Sequence, residues 1–253
     1  MSAEKQILTE YLLRLADNSL IIGHRLSEWC GFGPVLEQDI AMTNISLDQI
    51  GLARMWYQYA GEIEGKGHTE DDLAYHRDAW EFRNLLLVEQ PNGDFAHTIA
   101  RHFYYDAFNY FLYEQLALSK DKRIAAIAAK GLKEVTYHLR YSSDWVIRLG
   151  DGTVESHERM QKALEALWMF TGELTTPDAT DMEMLKAKTG ADLAAIHPRW
   201  LAKVQEVVSE ATLRLPTATW MQQGGKKGIH SEHLGHILAE LQFVQRAYPG
   251  MEW

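Results

Sequence analysis

Apolar residues recur at three- and four-residue spacing through most of this chain, the period of one face of a helix. The pattern runs through residues 5 to 30, 35 to 62, 72 to 88, 94 to 118, 121 to 149, 154 to 174, 199 to 213 and 231 to 247, and no segment alternates as a strand. Pro34, Pro91, Pro177, Pro198, Pro216 and Pro249 read as punctuation. Residues 92 to 176 contain no proline, which leaves long helices free to form there. Asn92-Gly93-Asp94 predicts a turn ending in an N-cap, and Gly150-Asp151-Gly152 supplies residues that tolerate left-handed backbone. Thr180 and Glu183 have capping-box spacing before a short helix closed by Gly190.

Residues 5 to 30 with 35 to 62, and 94 to 118 with 121 to 149, form two pairs of long helices, each joined by a tight turn. Each pair predicts an antiparallel hairpin. A crossover of about thirty residues carrying its own helix separates them, the long connection of a ferritin-like four-helix bundle. With no internal repeat and no low-complexity linker, the expectation is one all-α domain over 1–253: four core helices, a crossover helix, and a helical extension over 150–253.

Ferritin-like bundles that hold two metal ions use a carboxylate from each of two helices and a Glu-x-x-His pair from each of the others. No Glu in this chain has a His three residues later. Asp94 and His97 have that spacing, but Asp94 sits where a cap is needed. The apolar stripes are interrupted in three places. Gln49 lies within Met42, Ile45, Leu52, Trp56 and Tyr59; Asp106 within Ile99, Phe103, Tyr110 and Tyr113; His138 within Ile124, Ile127, Gly131, Val135, Ser142 and Trp145. Leu52, three after Gln49, and Val135, three before His138, stand where metal pairs would be completed. Two readings stay open: single polar residues satisfied by hydrogen bonds, or the remnant of a dismantled dinuclear site in which Asp106 and His138 satisfy one another. Dismantling as a set is physically sensible, because a buried carboxylate without its counter-charge costs several kcal/mol.

Composition narrows the classes. The net charge of −10 offers no field for phosphates or anionic lipid, so neither nucleic acid nor membrane is an expected partner. No apolar stretch approaches the ~20 residues of a membrane span, and Met1-Ser2-Ala3-Glu4-Lys5 opens no secretory signal. The expectation is a cytoplasmic chain. Its one cysteine, Cys30, excludes an internal disulfide and any Cys-rich metal site.

Four blocks carry a resemblance that covers nearly the whole chain. They are Glu28-Trp29-Cys30-Gly31, Asn84-Leu85-Leu86-Leu87-Val88-Glu89-Gln90-Pro91-Asn92-Gly93, Tyr137-His138-Leu139-Arg140, and Gly224-Gly225-Lys226-Lys227-Gly228 followed by His230, Glu232, His233, Leu234 and Gly235. On these the sequence resembles the C subunits of bacterial ring-1,2-phenylacetyl-CoA epoxidases, components of phenylacetate degradation complexes. The resemblance implies a ferritin-like, non-catalytic structural subunit paired with a homologous catalytic A subunit that holds a di-iron centre. A small bridging B subunit and a reductase with FAD and an iron-sulfur centre complete such a complex, which uses dioxygen and NADPH to epoxidise the ring of the CoA thioester. Projected onto this chain, the catalytic subunit's ligands fall at Leu20, Gln49, Leu52, Asp106, Val135 and His138. Only Asp106 and His138 keep a ligand type, so the resemblance implies a vestigial centre and no cofactor held by this chain.

Other features are less specific. His230, His233 and His236 recur every three residues and fan over about 120° of a helix, a poor zinc set. The loop from Gly224 to Gly228 can turn backbone N–H groups and Lys226 and Lys227 toward an anion, so Lys226, Lys227, His230 and His233 are candidate contacts to an anion or a partner, with a plain solvated loop as the alternative. Most of Trp29, Trp56, Trp80, Trp145, Trp168, Trp200, Trp220 and Trp253 are expected in the core. Alone, the chain is expected to self-associate as a homodimer. The competing readings are a divergent di-metal oxidase active by itself and a CoA-thioester-binding subunit without metal.

Overall fold

The computed structural model describes residues 2–251, and all regular structure among them is helical. The elements are α1 (Ala3–Ser27), α2 (Leu36–Glu64), α3 (Glu70–Tyr75), α4 (Phe95–Leu116), α5 (Lys122–Gly150), α6 (Val154–Trp168), α7 (Gly172–Thr175), α8 (Ala179–Lys186), α9 (Leu193–Glu210), α10 (Glu232–Leu241) and α11 (Phe243–Ala247), with short 3₁₀ turns at Ala79–Glu81 and Gly225–Lys227. The all-α class and the hairpin–crossover–hairpin order are those of a ferritin-like bundle. None of these helices is long and apolar enough to cross a membrane.

The chain divides into two compact units, residues up to Glu89 together with those from Gly224 onward, and residues 90–223. The expected C-terminal extension is thus split between them. In the first unit, Asp17 of α1 meets Tyr57 of α2 while Gly23 lies against Ser46, so the two helices run antiparallel. Their turn is tied by Asp39, whose Oδ2 accepts from the N–H groups of Gly31 and Gly33 at 2.8 and 2.9 Å. In the second unit, Asp94 caps α4, accepting from the His97 N–H at 2.9 Å, and Asp121 caps α5. The Phe95 and Trp145 rings, 5.0 Å apart, join the start of α4 to the end of α5 and show that pair antiparallel as well. Helices α6, α7 and α9 pack on α4. Trp200 Nε1 donates to the Tyr104 carbonyl at 3.0 Å, and Trp200 stacks on Trp168 at 5.9 Å between centroids.

The structure corrects several local expectations. Residues 72–88 are no continuous helix: α3 ends at Tyr75, a 3₁₀ turn follows, and 86–89 form turns. The reason is that side chains from α1, far away in sequence, take up this segment's backbone groups. Pro198 lies inside α9, where it forfeits one helical hydrogen bond near the N-terminus. The capping box before α8 is Asp178 with Asp181, and Lys188, not Gly190, takes the left-handed position after it. No residue of Gly150-Asp151-Gly152 has positive φ. Among the tryptophans, Trp56, Trp168 and Trp200 are buried, Trp29 and Trp145 half-buried, and Trp80 and Trp220 exposed; Trp253 lies outside the described residues.

Candidate functional site

The six positions onto which the di-iron ligands project divide between the units, three in each. Leu20 on α1 and Gln49 and Leu52 on α2 are buried in the first. One turn after Leu20, Gly23 lets α2 approach so closely that a Cβ there would meet Gln49 Cβ at 3.1 Å. Ser46 Oγ closes this contact by donating to the Gly23 carbonyl at 2.7 Å. Asp106 on α4 and Val135 and His138 on α5 are buried in the second.

Asp106 has a neighbour that the apolar stripes do not reveal. His102, one turn earlier on α4, places Nδ1 at 3.9 Å from Asp106 Oδ1, with both side chains buried. Burial holds the His102 pKa below its ordinary value; the Asp106 charge opposes this, and Arg101 and His138 reinforce it. His102 therefore stands beside Asp106 and within reach of the His138 charge, where the sequence pattern joins only Asp106 and His138. The signal is present in the sequence as a four-residue spacing, which the three-residue spacing of Glu-x-x-His passes over.

These residues do not fit a di-iron centre. Such a centre takes four carboxylates and two imidazoles from four helices, whereas Leu20, Leu52 and Val135 offer only hydrocarbon and Gln49 an amide. Among the described residues no three His, Cys, Asp or Glu side chains are grouped so as to hold a metal ion.

Denser polar chemistry surrounds the crossover of the first unit, where two fully buried carboxylates act as anchors. Asp17 accepts from the Tyr57 hydroxyl at 2.5 Å, from both terminal nitrogens of Arg77, and from the Arg83 N–H at 2.8 Å. Burial, with the charge of Asp17, raises the Tyr57 phenol well above its usual pKa. Glu89 accepts from Asn84 Nδ2 at 2.9 Å and the Ser231 N–H at 2.7 Å, with His230 Nδ1 at 2.8 Å. It thereby places a carboxylate at the N-terminus of α10, where the helix dipole favours it. Asn18 Oδ1 accepts from the Leu85 N–H at 2.8 Å, and Arg25 donates twice to the Glu89 carbonyl at 3.2 and 3.0 Å.

This arrangement corrects the expectation for the Gly-rich loop. His230 has Glu89 on one ring nitrogen and the Phe82 carbonyl, at 3.0 Å, on the other, so it is occupied within the chain. The N–H groups of Lys227, Gly228 and Ile229 donate to Gly224 and Gly225 carbonyls inside the loop rather than standing open to an anion. Gly225 and Gly228 are packed so tightly that a Cβ on either would strike the carbonyl oxygens of Asn84 and Trp80. Lys226 and His233 are half-buried and Lys227 is exposed. Two of the four sequence blocks, Asn84 to Gly93 and Gly224 to Gly235, thus meet as a crossover segment and its clasp.

Comparison with known proteins adds two findings. The family described as "Phenylacetic acid catabolic protein" matches the chain over residues 1–253. The chain is 48% identical over 246 residues, 97% of its own length and 99% of the relative's, to the C subunit of the 1,2-phenylacetyl-CoA epoxidase of Escherichia coli strain K12.

Proposed function

The chain belongs to the phenylacetic acid catabolic protein family, and from that premise we propose that it is a non-catalytic structural subunit of a multicomponent phenylacetyl-CoA epoxidase. Its role is to stabilise a homologous catalytic subunit that carries the di-iron centre. The observation that carries this reading is hydrocarbon at Leu20, Leu52 and Val135, which leaves the ferritin-like frame without a dinuclear ligand set. Catalysis then belongs to the partner, electrons to the reductase with its FAD and iron-sulfur centre, and a small B subunit bridges the parts. Freed of its partner, the chain self-associates.

Co-expression with the catalytic subunit, followed by tandem purification, tests the role. The two chains are expected to co-elute, with iron tracking the partner and ring epoxidation requiring both. If the isolated chain bound about two irons, as di-iron bundles do, and consumed dioxygen unaided, the structural role would fall. Binding of phenylacetyl-CoA to the isolated chain in a direct titration would instead favour a substrate-binding role.

A further inference from the structure

The outward face of α5 is mostly charged and polar, with Lys130, Lys133, Arg140 and Asp144 exposed and Tyr137 its one large exposed ring among the described residues. That of α2 is different. Leu36, Ile40 and Leu47 are 72%, 52% and 61% exposed, and Ile50 is 39% exposed, apolar side chains spread over more than three turns with Glu37, Asn44 and Arg54 among them.

Along this face Glu37, Ile40, Asn44, Leu47, Gly51 and Arg54 stand alternately three and four residues apart, and all are exposed. This is the spacing of a coiled-coil seam. Its chemistry is complementary to itself when reversed. A copy turned end over end about the step from Ile45 to Ser46 sets Glu37 opposite Arg54, Ile40 opposite Gly51, and Asn44 opposite Leu47. A carboxylate meets a guanidinium at each end, and the branched Ile40 meets the one seam residue that has no side chain. Arg54 is already held in place by Glu70, which accepts from its Nε at 3.0 Å.

Gly51 supplies a separate reason. Nothing lies within 4 Å of the place its Cβ would take, so no contact inside the chain excludes a larger residue. Glycine within a helix costs about 1 kcal/mol relative to alanine. A facing helix that needs the space for its own Ile40 accounts for that cost.

We infer that a second copy of this chain docks on this face, α2 against α2 and antiparallel, about a two-fold axis at the Ile45–Ser46 step. This deepens the self-association proposed above and rests on it. The contact is isologous, each copy supplying the same six residues.

Sedimentation equilibrium on the full-length chain tests it. The wild type is expected to dimerise. Glu37→Arg and Arg54→Glu each place like charges opposite one another twice per dimer and are expected to weaken it about tenfold; the double reversal is expected to restore it. In a Cys30→Ser background, Asn44→Cys is expected to cross-link to its copy on mild oxidation, whereas Arg54→Cys, about 25 Å from its copy along the axis, is not. A wild type that stays monomeric would overturn both the self-association and this face. A dimer insensitive to the reversals, without the Asn44→Cys cross-link, would overturn the face alone, as would reversals that abolish binding of the catalytic subunit while leaving self-association unchanged.

Discussion

Glu89 shows how one residue can organise distant parts of a unit. It is fully buried, and its carboxylate gathers Asn84, Ser231 and His230, the last two reaching it across more than a hundred residues of chain. Burial alone would lower the His230 pKa, but the hydrogen bond and charge of Glu89, the Phe82 carbonyl and the charge of Asp17 outweigh it and raise it above the ordinary value. The sign of the linkage follows. Stability from this pair is complete below the unfolded histidine value of about 6.5 and drains away as pH rises through the raised folded value. His230→Ala is expected to cost about 3–5 kcal/mol below pH 6.5, because it strands a buried carboxylate. The gap in urea midpoints between wild type and variant, measured across pH 6 to 9, should narrow toward the alkaline end without closing, because neutral His230 still hydrogen-bonds Glu89. A constant gap would remove the ionic account.

At the scale of elements, the long helices are legible in the sequence because each carries its own signal. The stripe Met42, Ile45, Gln49, Leu52, Trp56 and Tyr59 is buried throughout, and Asp94 caps α4 where the sequence places a cap. The crossover is not legible. Residues 72–88 read as helix from their neighbours alone, yet the backbone of Phe82, Arg83, Leu85 and Glu89 is held by Asn18, Arg25 and Asp17 on α1 and by His230 near the other end of the chain. Periodicity sees local order; it has no access to hydrogen bonds that close across sixty or more residues. For the same reason the sequence leaves the Gly-rich loop open between an anion or partner contact and a plain solvated loop, and does not show that Gly225 and Gly228 serve close approach to backbone. The α2 helix offers a separable test at this scale. Gly51→Ala is expected to raise the melting midpoint of the monomer, being worth about 1 kcal/mol of helix propensity with room for the methyl group. A fall in the midpoint, measured by circular dichroism at dilute concentration, would mean that Gly51 already serves the fold itself.

For the whole molecule, the proposed structural role, with hydrocarbon at Leu20, Leu52 and Val135, predicts stability that rests on packing rather than metal. A ligand that binds only the folded state raises stability with its concentration, so a protein dependent on di-iron would lose stability to a chelator. This chain is expected to melt at the same temperature with ferrous iron, with chelator, or with neither. Leu20→Glu, Gln49→Glu and Val135→Glu are each expected to lower the midpoint, because a buried carboxylate lacking counter-charge costs several kcal/mol. Val135→Glu places its carboxylate one turn before the buried His138 on α5, and ferrous iron is expected not to recover its loss, since one ligand does not complete a set. Scanning calorimetry under anaerobic conditions reads wild type and variants alike, and a wild-type midpoint that climbed with iron would show that this frame holds metal through a set other than the six projected positions.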